Sequence, residues 1–343
     1  MHELAGNGPE IADRLDALGI TPSVTASRIE KWIARINNDH SLLVEEPHLK
    51  NLTVQRWLDC MQTSLDGDDI FPLLPIDNDE PVVDMRYVIR ALLMAKANQS
   101  VELDLTAHIE ELSLLGKPDL LCENSLQHLL ETRPQYSKMV VLTEGRSDAD
   151  ILGPALRLLY PHLIDLIHIM DFSGRPPGGV GWLTTLVKSF ASAGIVNRVV
   201  ALFDNDSAAR SALAKIGPLP ANIRVGYLPE MEFLRSYPTL GPPDASHPEG
   251  YIGKADVNGR AASIELYFGM DVLRDGRGEL HPIQWTSFER GVQQYQGEVV
   301  GKAELQDRFK EKLRSAENDS QVMALQDWSA IRAVLNVIIR AFN

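Results

Sequence analysis

The chain has 343 residues, 44% of them hydrophobic and 23% charged, which is ordinary globular usage and excludes a disordered or fibrous protein. At roughly 150 residues per domain, the length predicts two domains or one with a large appendage. The two cysteines, Cys60 and Cys122, are too few for a disulfide framework or a four-cysteine zinc site, which predicts a reducing, cytoplasmic setting. Residues 1–13 are polar and acidic, and no run of about 18 apolar residues follows, so neither secretion nor a membrane partner is expected.

The net charge of −14 is unevenly spread. Residues 1–136 carry 11 Lys+Arg against 23 Asp+Glu, residues 137–270 carry 12 against 13, and residues 271–343 carry 10 against 11. Phosphate binding is driven by basic side chains that release counterions, so the acidic first third is a poor polyanion site. The balanced remainder is open to one, above all where divalent cations occupy some of its acids.

In chain order, residues 27–43 have Ile29, Ile33 and Ile36 at helical spacing, and residues 52–65 have Val54, Leu58 and Met61. Residues 66–81, with one Gly, three Pro and five Asp, predict a loop; 84–98 a helix; and the alternation of Val101, Leu103 and Leu105 a strand. The first domain, 1–136, is therefore expected to be mainly helical. Within it Arg35 and His40 resemble the Arg-plus-His pair of HEPN ribonucleases, but Ile36 stands where a polar residue is usual, and the pair reads as a solvated helix end.

From residue 139 short apolar runs alternate with helices. Strands are expected at 139–143, 163–170, 198–203 and 223–228, with helices at 148–160, 181–193 and 208–216 between them. That alternation predicts a parallel sheet covered on both faces, joined by right-handed crossovers. A loop at 241–251, a short helix at 260–268, a hairpin within 278–287 and helices at 302–315 and 321–341 complete the chain. The expected divisions are 1–136, 137–270 and 271–343.

Ligands of an open parallel sheet collect at the carboxyl ends of its strands, and there the acids fall. The first run ends in TEGRSD, placing Glu144 at a strand tip and Asp148 at the opening of the next helix. The third ends in LFDNDS, placing Asp204 and Asp206 on one face of an extended segment. Glu-Gly alone is a common turn and Asp-x-Asp a common helix cap; ending the first and third strands of one βαβ series, they point to a site. Clustered carboxylates repel one another unless hard cations sit among them, and oxygen-only ligation suits Mg²⁺ or Mn²⁺.

The segments VVLTEGRSDADIL and VVALFDNDSAA resemble the Glu and Asp-x-Asp motifs of TOPRIM domains, found in topoisomerases, bacterial primases, recombination-repair proteins and the overcoming-lysogenization-defect (OLD) nucleases. The Glu144-to-Asp148 spacing is similar to the OLD arrangement. Over 139–312, including LRSYPTLGP and YQGEVVGKAELQDRF, the chain resembles bacterial HEPN/Toprim-associated proteins. The resemblance implies a TOPRIM (Rossmann-like) α/β fold with a small C-terminal α/β extension completing the site. It implies a Mg²⁺- or Mn²⁺-dependent nuclease acting on DNA or RNA in anti-phage defence. Glu144, Asp148, Asp204, Asp206 and Glu265 would be the metal ligands and Glu144, Asp204, Asp206 and Lys302 the catalytic groups. The acidic N-terminal region would then bind a protein partner, another copy or a regulator. The competing expectation is a catalytically silent TOPRIM sensor within a defence complex. Two cysteines are too few for a primase zinc domain, and 343 residues too few for topoisomerase gates.

Other features carry less. The Gly-rich 171–181 segment lacks a nucleotide-loop GK[ST] ending and reads as a loop beside the active edge, with Arg175 a candidate phosphate contact. His162, His168 and His247 lack partners at zinc-ligand spacing. Nothing marks Tyr251 or Tyr267 as a nucleophile.

Overall fold

A computed structural model describes residues 3–38, 50–63, 84–104, 137–171, 178–241, 245–247 and 250–343. The chain divides into two units, one of Met1–Glu131 with Phe342–Asn343 and one of Thr132–Ala341, so residues 271–341 share a unit with the parallel sheet. No helix among the described residues is long and apolar enough to cross a membrane.

The first unit contains β1 (Glu3–Asn7), α1 (Gly8–Ala17), α2 (Pro22–Asn38), α3 (Val54–Thr63), α4 (Met85–Ala95) and β2 (Ser100–Asp104). β1 and β2 pair antiparallel. As the helical spacing predicts, Ile29 and Ile33 of α2 are buried with Leu52, Trp57, Met61 and Ala91, and Val54 and Leu58 pack against them. A buried ion pair joins Arg90 to Asp16. Arg35 lies on α2; His40, the 66–81 loop and Leu105 lie outside the described residues.

The second unit is mixed α/β, built on a four-stranded parallel sheet flanked by helices. Its strands are β3 (Met139–Leu142), β4 (Ile167–Ile169), β5 (Val199–Phe203) and β7 (Ile223–Tyr227), in the order β4-β3-β5-β7. Between them run α5 (Arg146–Leu159), α6 (Val180–Ser192) and α7 (Ser207–Leu213). The unbroken apolar runs of β3 and β5 are what a sheet covered on both faces requires. Leu142, Val199, Ala201 and Phe203 pack with Leu183 and Val187 of α6 and Ala209 of α7. The alternate residues Val141, Val200 and Leu202, pointing to the other face, are buried as well.

Several expectations change. The second strand spans three residues rather than 163–170, because Pro161 opens a 3-10 turn (Pro161–Leu163) that consumes the front of the apolar run. Residues 260–268 are not one helix. β10 (Ala261–Ala262) pairs antiparallel with β6 (Asn205–Asp206), and a 3-10 turn (Ile264–Tyr267) and the short α8 (Met270–Leu273) follow. The hairpin sits later than 278–287, since Pro282 delays its first strand: β11 (Ile283–Glu289) pairs with β12 (Gln294–Val299). β8 (Tyr237–Leu240) and β9 (Ile252–Ala255), both unforeseen, complete a second sheet in the order β12-β11-β8-β9. α9 (Lys302–Asn318) outruns its expected end. The stretch 321–341 is two helices, α10 (Ser320–Leu325) and α11 (Ser329–Ile339), parted where the Asp327 side chain turns back to accept from the Ser329 N–H and hydroxyl.

Candidate active site at the carboxyl edge of the parallel sheet

β3 leads outward to β4 on one side, and the chain then crosses back to β5 on the other. The strand order therefore reverses between β3 and β5, and the carboxyl ends of these two neighbours flank the crevice where such sheets bind ligands. Glu144 lies just beyond β3 and Asp204 just beyond β5. The Asp204 N–H donates to Glu144 Oε1 at 2.9 Å, joining residues 60 positions apart. The Glu144 carbonyl accepts from the Gly179 N–H at 2.7 Å, which ties the tip of β3 to the start of α6.

Asp148 sits at the third position of α5 and accepts from the Gly145 N–H at 3.1 Å, a capping contact that also favours an acid through the helix dipole. Asp206 is buried: Oδ1 caps α7 by accepting from the Ala209 N–H at 2.7 Å, and Oδ2 accepts from Gln296 Nε2 at 2.6 Å. Glu265, 0% exposed, accepts from Ser263 Oγ and Gln306 Nε2, both at 2.7 Å, and lies 3.3 Å from Lys302 Nζ. Glu265, expected as a ligand, is therefore a buried acid rather than one facing solvent. No donor among the described residues reaches the Asp204 carboxylate.

The electrostatics tie the six residues together. Burial pushes Glu144 up to about 7; the Asp204 amide opposes this, while the Asp206 and Asp148 charges add to it and Lys302 offsets part. Burial and the Glu265 charge push Asp148 up to about 6. Asp204 is held well above the usual carboxylate range by burial, then by Glu144, Asp148, Asp206 and Glu265. Desolvation pulls Lys302 down, but Glu265, Asp204 and Asp148 outweigh it, and the amine ends above its ordinary value. Glu144, Asp148, Asp204, Asp206, Glu265 and Lys302 thus lie within one another's fields, although Lys302 comes from α9. Among the described residues one lysine is set against five carboxylates in this cluster.

Among the described residues no three carboxylate, imidazole or thiol side chains are already closed around one point as an ion's ligands. Each acid except Asp204 instead rests on a protein donor, as mutually repelling groups do. The donor set is all oxygen, which fits Mg²⁺ or Mn²⁺ and not a soft metal.

Sequence reasoning passed over Gln296, Gln306, Ser263 and Ser207. Ser207 Oγ lies 2.6 Å from Gln296 Oε1 and 3.1 Å from the Tyr295 carbonyl. The one readable signal was the four-residue spacing of Lys302 and Gln306, which puts both on one face of α9. Tyr267 is buried and donates to the Pro229 carbonyl at 2.7 Å; burial, reinforced by the Asp204 charge, raises its phenol, which removes it as a nucleophile. Arg175 lies outside the described residues.

Fold and site together define a mixed α/β protein with a Rossmann-like parallel sheet and a carboxylate-lysine cluster at its switch point. Comparison of the chain with protein-family models, curated proteins and solved structures finds no match in any of the three.

Proposed function

We propose that the chain is a divalent-metal-dependent nuclease of the TOPRIM type, cleaving phosphodiester bonds of DNA or RNA. The observation that carries this reading is the convergence of five carboxylates and one lysine where the order of β4-β3-β5-β7 reverses. Placement in bacterial anti-phage defence rests on the motif resemblance to OLD nucleases and HEPN/Toprim-associated proteins.

In this reading Glu144, Asp204 and Asp206 hold one Mg²⁺ or Mn²⁺, and Asp148 with Glu265 helps hold a second. Bound there, such ions supply an activated water and neutralise the scissile phosphate and the leaving oxygen. Glu144 keeps Oε2 for the cation or for a proton, since Oε1 is engaged by the Asp204 amide. Lys302 meets negative charge developing on the phosphate. The acidic, mainly helical first unit serves a partner, another copy or a regulator.

The test is digestion of plasmid, single-stranded DNA and tRNA with Mg²⁺ or Mn²⁺, against EDTA, by the wild type and Asp204→Ala. The expected result is metal-dependent cleavage, lost in a variant that folds normally because it has one repelling acid fewer. Unchanged cleavage by the variant removes Asp204 from the metal site. A wild type inert on all three substrates favours the silent-sensor reading.

A further inference from the structure

Two neutral amides, both from the C-terminal part of the second unit, each hold one acid of the cluster. Gln296 of β12 donates from Nε2 to Asp206 Oδ2 at 2.6 Å, across 90 positions. Its orientation is fixed from the other end, because Oε1 faces two donors, Ser207 Oγ at 2.6 Å and the Ala208 N–H at 3.2 Å. A flipped amide would turn its NH₂ toward the Ala208 N–H and its oxygen toward a carboxylate. Gln306 of α9 donates from Nε2 to Glu265 Oε1 at 2.7 Å, while Ser263 Oγ holds Oε2 and Lys302 approaches Oε1.

The residue type carries the argument. A carboxylate among like charges lowers its energy by rotating away, so an acid meant to bind a cation has to be held in place. An arginine or lysine would hold it but would also cancel its charge, removing the demand for the cation. A glutamine amide fixes direction and adds no charge: at Asp206 the carboxylate keeps its full negative charge, and at Glu265, where Lys302 stands 3.3 Å from Oε1, Gln306 adds direction without further neutralisation. Groups that hydrogen-bond to metal ligands orient them in this way, and their removal typically costs 10–100-fold in metal affinity.

Resting on the nuclease reading above, we infer that Gln296 and Gln306 are positioning residues for the divalent cations. Gln296 orients Asp206 in the half of the site shared with Glu144 and Asp204, and Gln306 orients Glu265 in the half shared with Asp148. Segment 296–306, which also brings Lys302, therefore sets the site although it supplies none of the cation's ligands.

The experiment is titration of the full-length chain with MnCl₂, reading free Mn²⁺ by its paramagnetic resonance signal, for the wild type, Asp204→Ala, Gln296→Met and Gln306→Met. Methionine keeps the length of glutamine and removes the donor. The wild type should bind, Asp204→Ala should not, and each methionine variant should bind 10–100-fold more weakly. Melts in EDTA establish that the variants are folded. Because Gln296 also supports the start of α7, Gln306→Met decides the matter if Gln296→Met fails to fold. Affinities within threefold of wild type in the folded methionine variants overturn the positioning role and leave Asp204-dependent binding standing. A wild type that takes up no Mn²⁺ overturns both.

Discussion

Replacing Glu144 by glutamine isolates the electrostatic cost of the cluster. Glu144 moves from 4.5 to about 7, chiefly through burial, with the Asp206 and Asp148 charges adding. An acid whose folded value is raised keeps its proton in the folded state after the unfolded chain has released it. Stability is therefore highest below 4.5, falls as pH rises from 4.5 to about 7, and stays low above that. At about 1.4 kcal/mol per pH unit, the ionised side chain costs the fold roughly 3 kcal/mol at pH 8. Glutamine carries no such cost at any pH and still offers an oxygen to the Asp204 N–H. The help that the charged carboxylate draws from that N–H is already contained in the rise to about 7.

The variant should thus be more stable than wild type by about 3 kcal/mol at pH 8 and no more stable at pH 4. In a unit of roughly 210 residues this is a rise in Tm of about 6–12 °C. The measurement is thermal and urea unfolding in EDTA at both pH values, followed by tryptophan fluorescence, to which Trp182, Trp285 and Trp328 contribute from the second unit and Trp32 and Trp57 from the first. Added Mn²⁺ should reverse the order, stabilising wild type more than Glu144→Gln. A variant no more stable than wild type at pH 8, or equally stabilised at both pH values, refutes the account of Glu144 as a buried, repelled carboxylate.

Two further predictions concern the support behind the site. Lys312 is buried on α9 and donates to the Phe268 carbonyl and Asp271 Oδ1, both at 2.8 Å, and to the Asp327 carbonyl. Lys312→Met, which takes the donor from the Phe268 and Asp327 carbonyls, should cost about 2 kcal/mol in urea unfolding, and a change under 1 kcal/mol would show that the network is dispensable. Gly269 has φ +96°, and a Cβ there would stand 2.2 Å from the Asp327 carbonyl and 2.7 Å from Lys312 Nζ. Gly269→Ala should therefore lower stability by more than about 2 kcal/mol, seen as a depressed Tm, and a neutral substitution would contradict the close approach.

What the sequence disclosed follows from where information is local. Runs such as 139–142 and 199–203 announce buried parallel strands because every residue of a doubly covered strand must be apolar. Glu144 and the Asp204/Asp206 pair stand out because they end the first and third strands of one series, where either motif alone would be an ordinary turn or helix cap. The over-reading of 163–170 came from the same rule, since an apolar run does not show how much of it a turn beginning at Pro161 will take. β8 and β9 stayed hidden for the opposite reason. Pro238 sits inside one, and the other, IGKA, has the mixed exposure of an edge strand.

The glutamines were illegible on different grounds. Glutamine is common on helix and strand surfaces, and nothing local distinguishes one that faces solvent from one that reaches an acid 90 positions earlier. Glu265 shows the limit from the other side: an acid within the apolar segment ASIELYFG is conspicuous, but whether it faces solvent or lies buried depends on Ser263, Lys302 and Gln306 arriving from two elements. Fold and function make opposite demands on this edge. The charges of neighbouring acids in the β3/β5 crevice raise the proton affinity of Glu144, Asp148 and Asp204 and weaken the folded state above neutrality. A sequence selected for stability alone would have neutralised or dispersed them. Among the described residues most of these side chains are instead held in place by backbone amides, hydroxyls and neutral side-chain amides, and Lys302 is the amine whose charge reaches them. Most of the acids are thus fixed in direction, while their charge is left to protons below neutrality and, in the nuclease reading, to divalent cations above it.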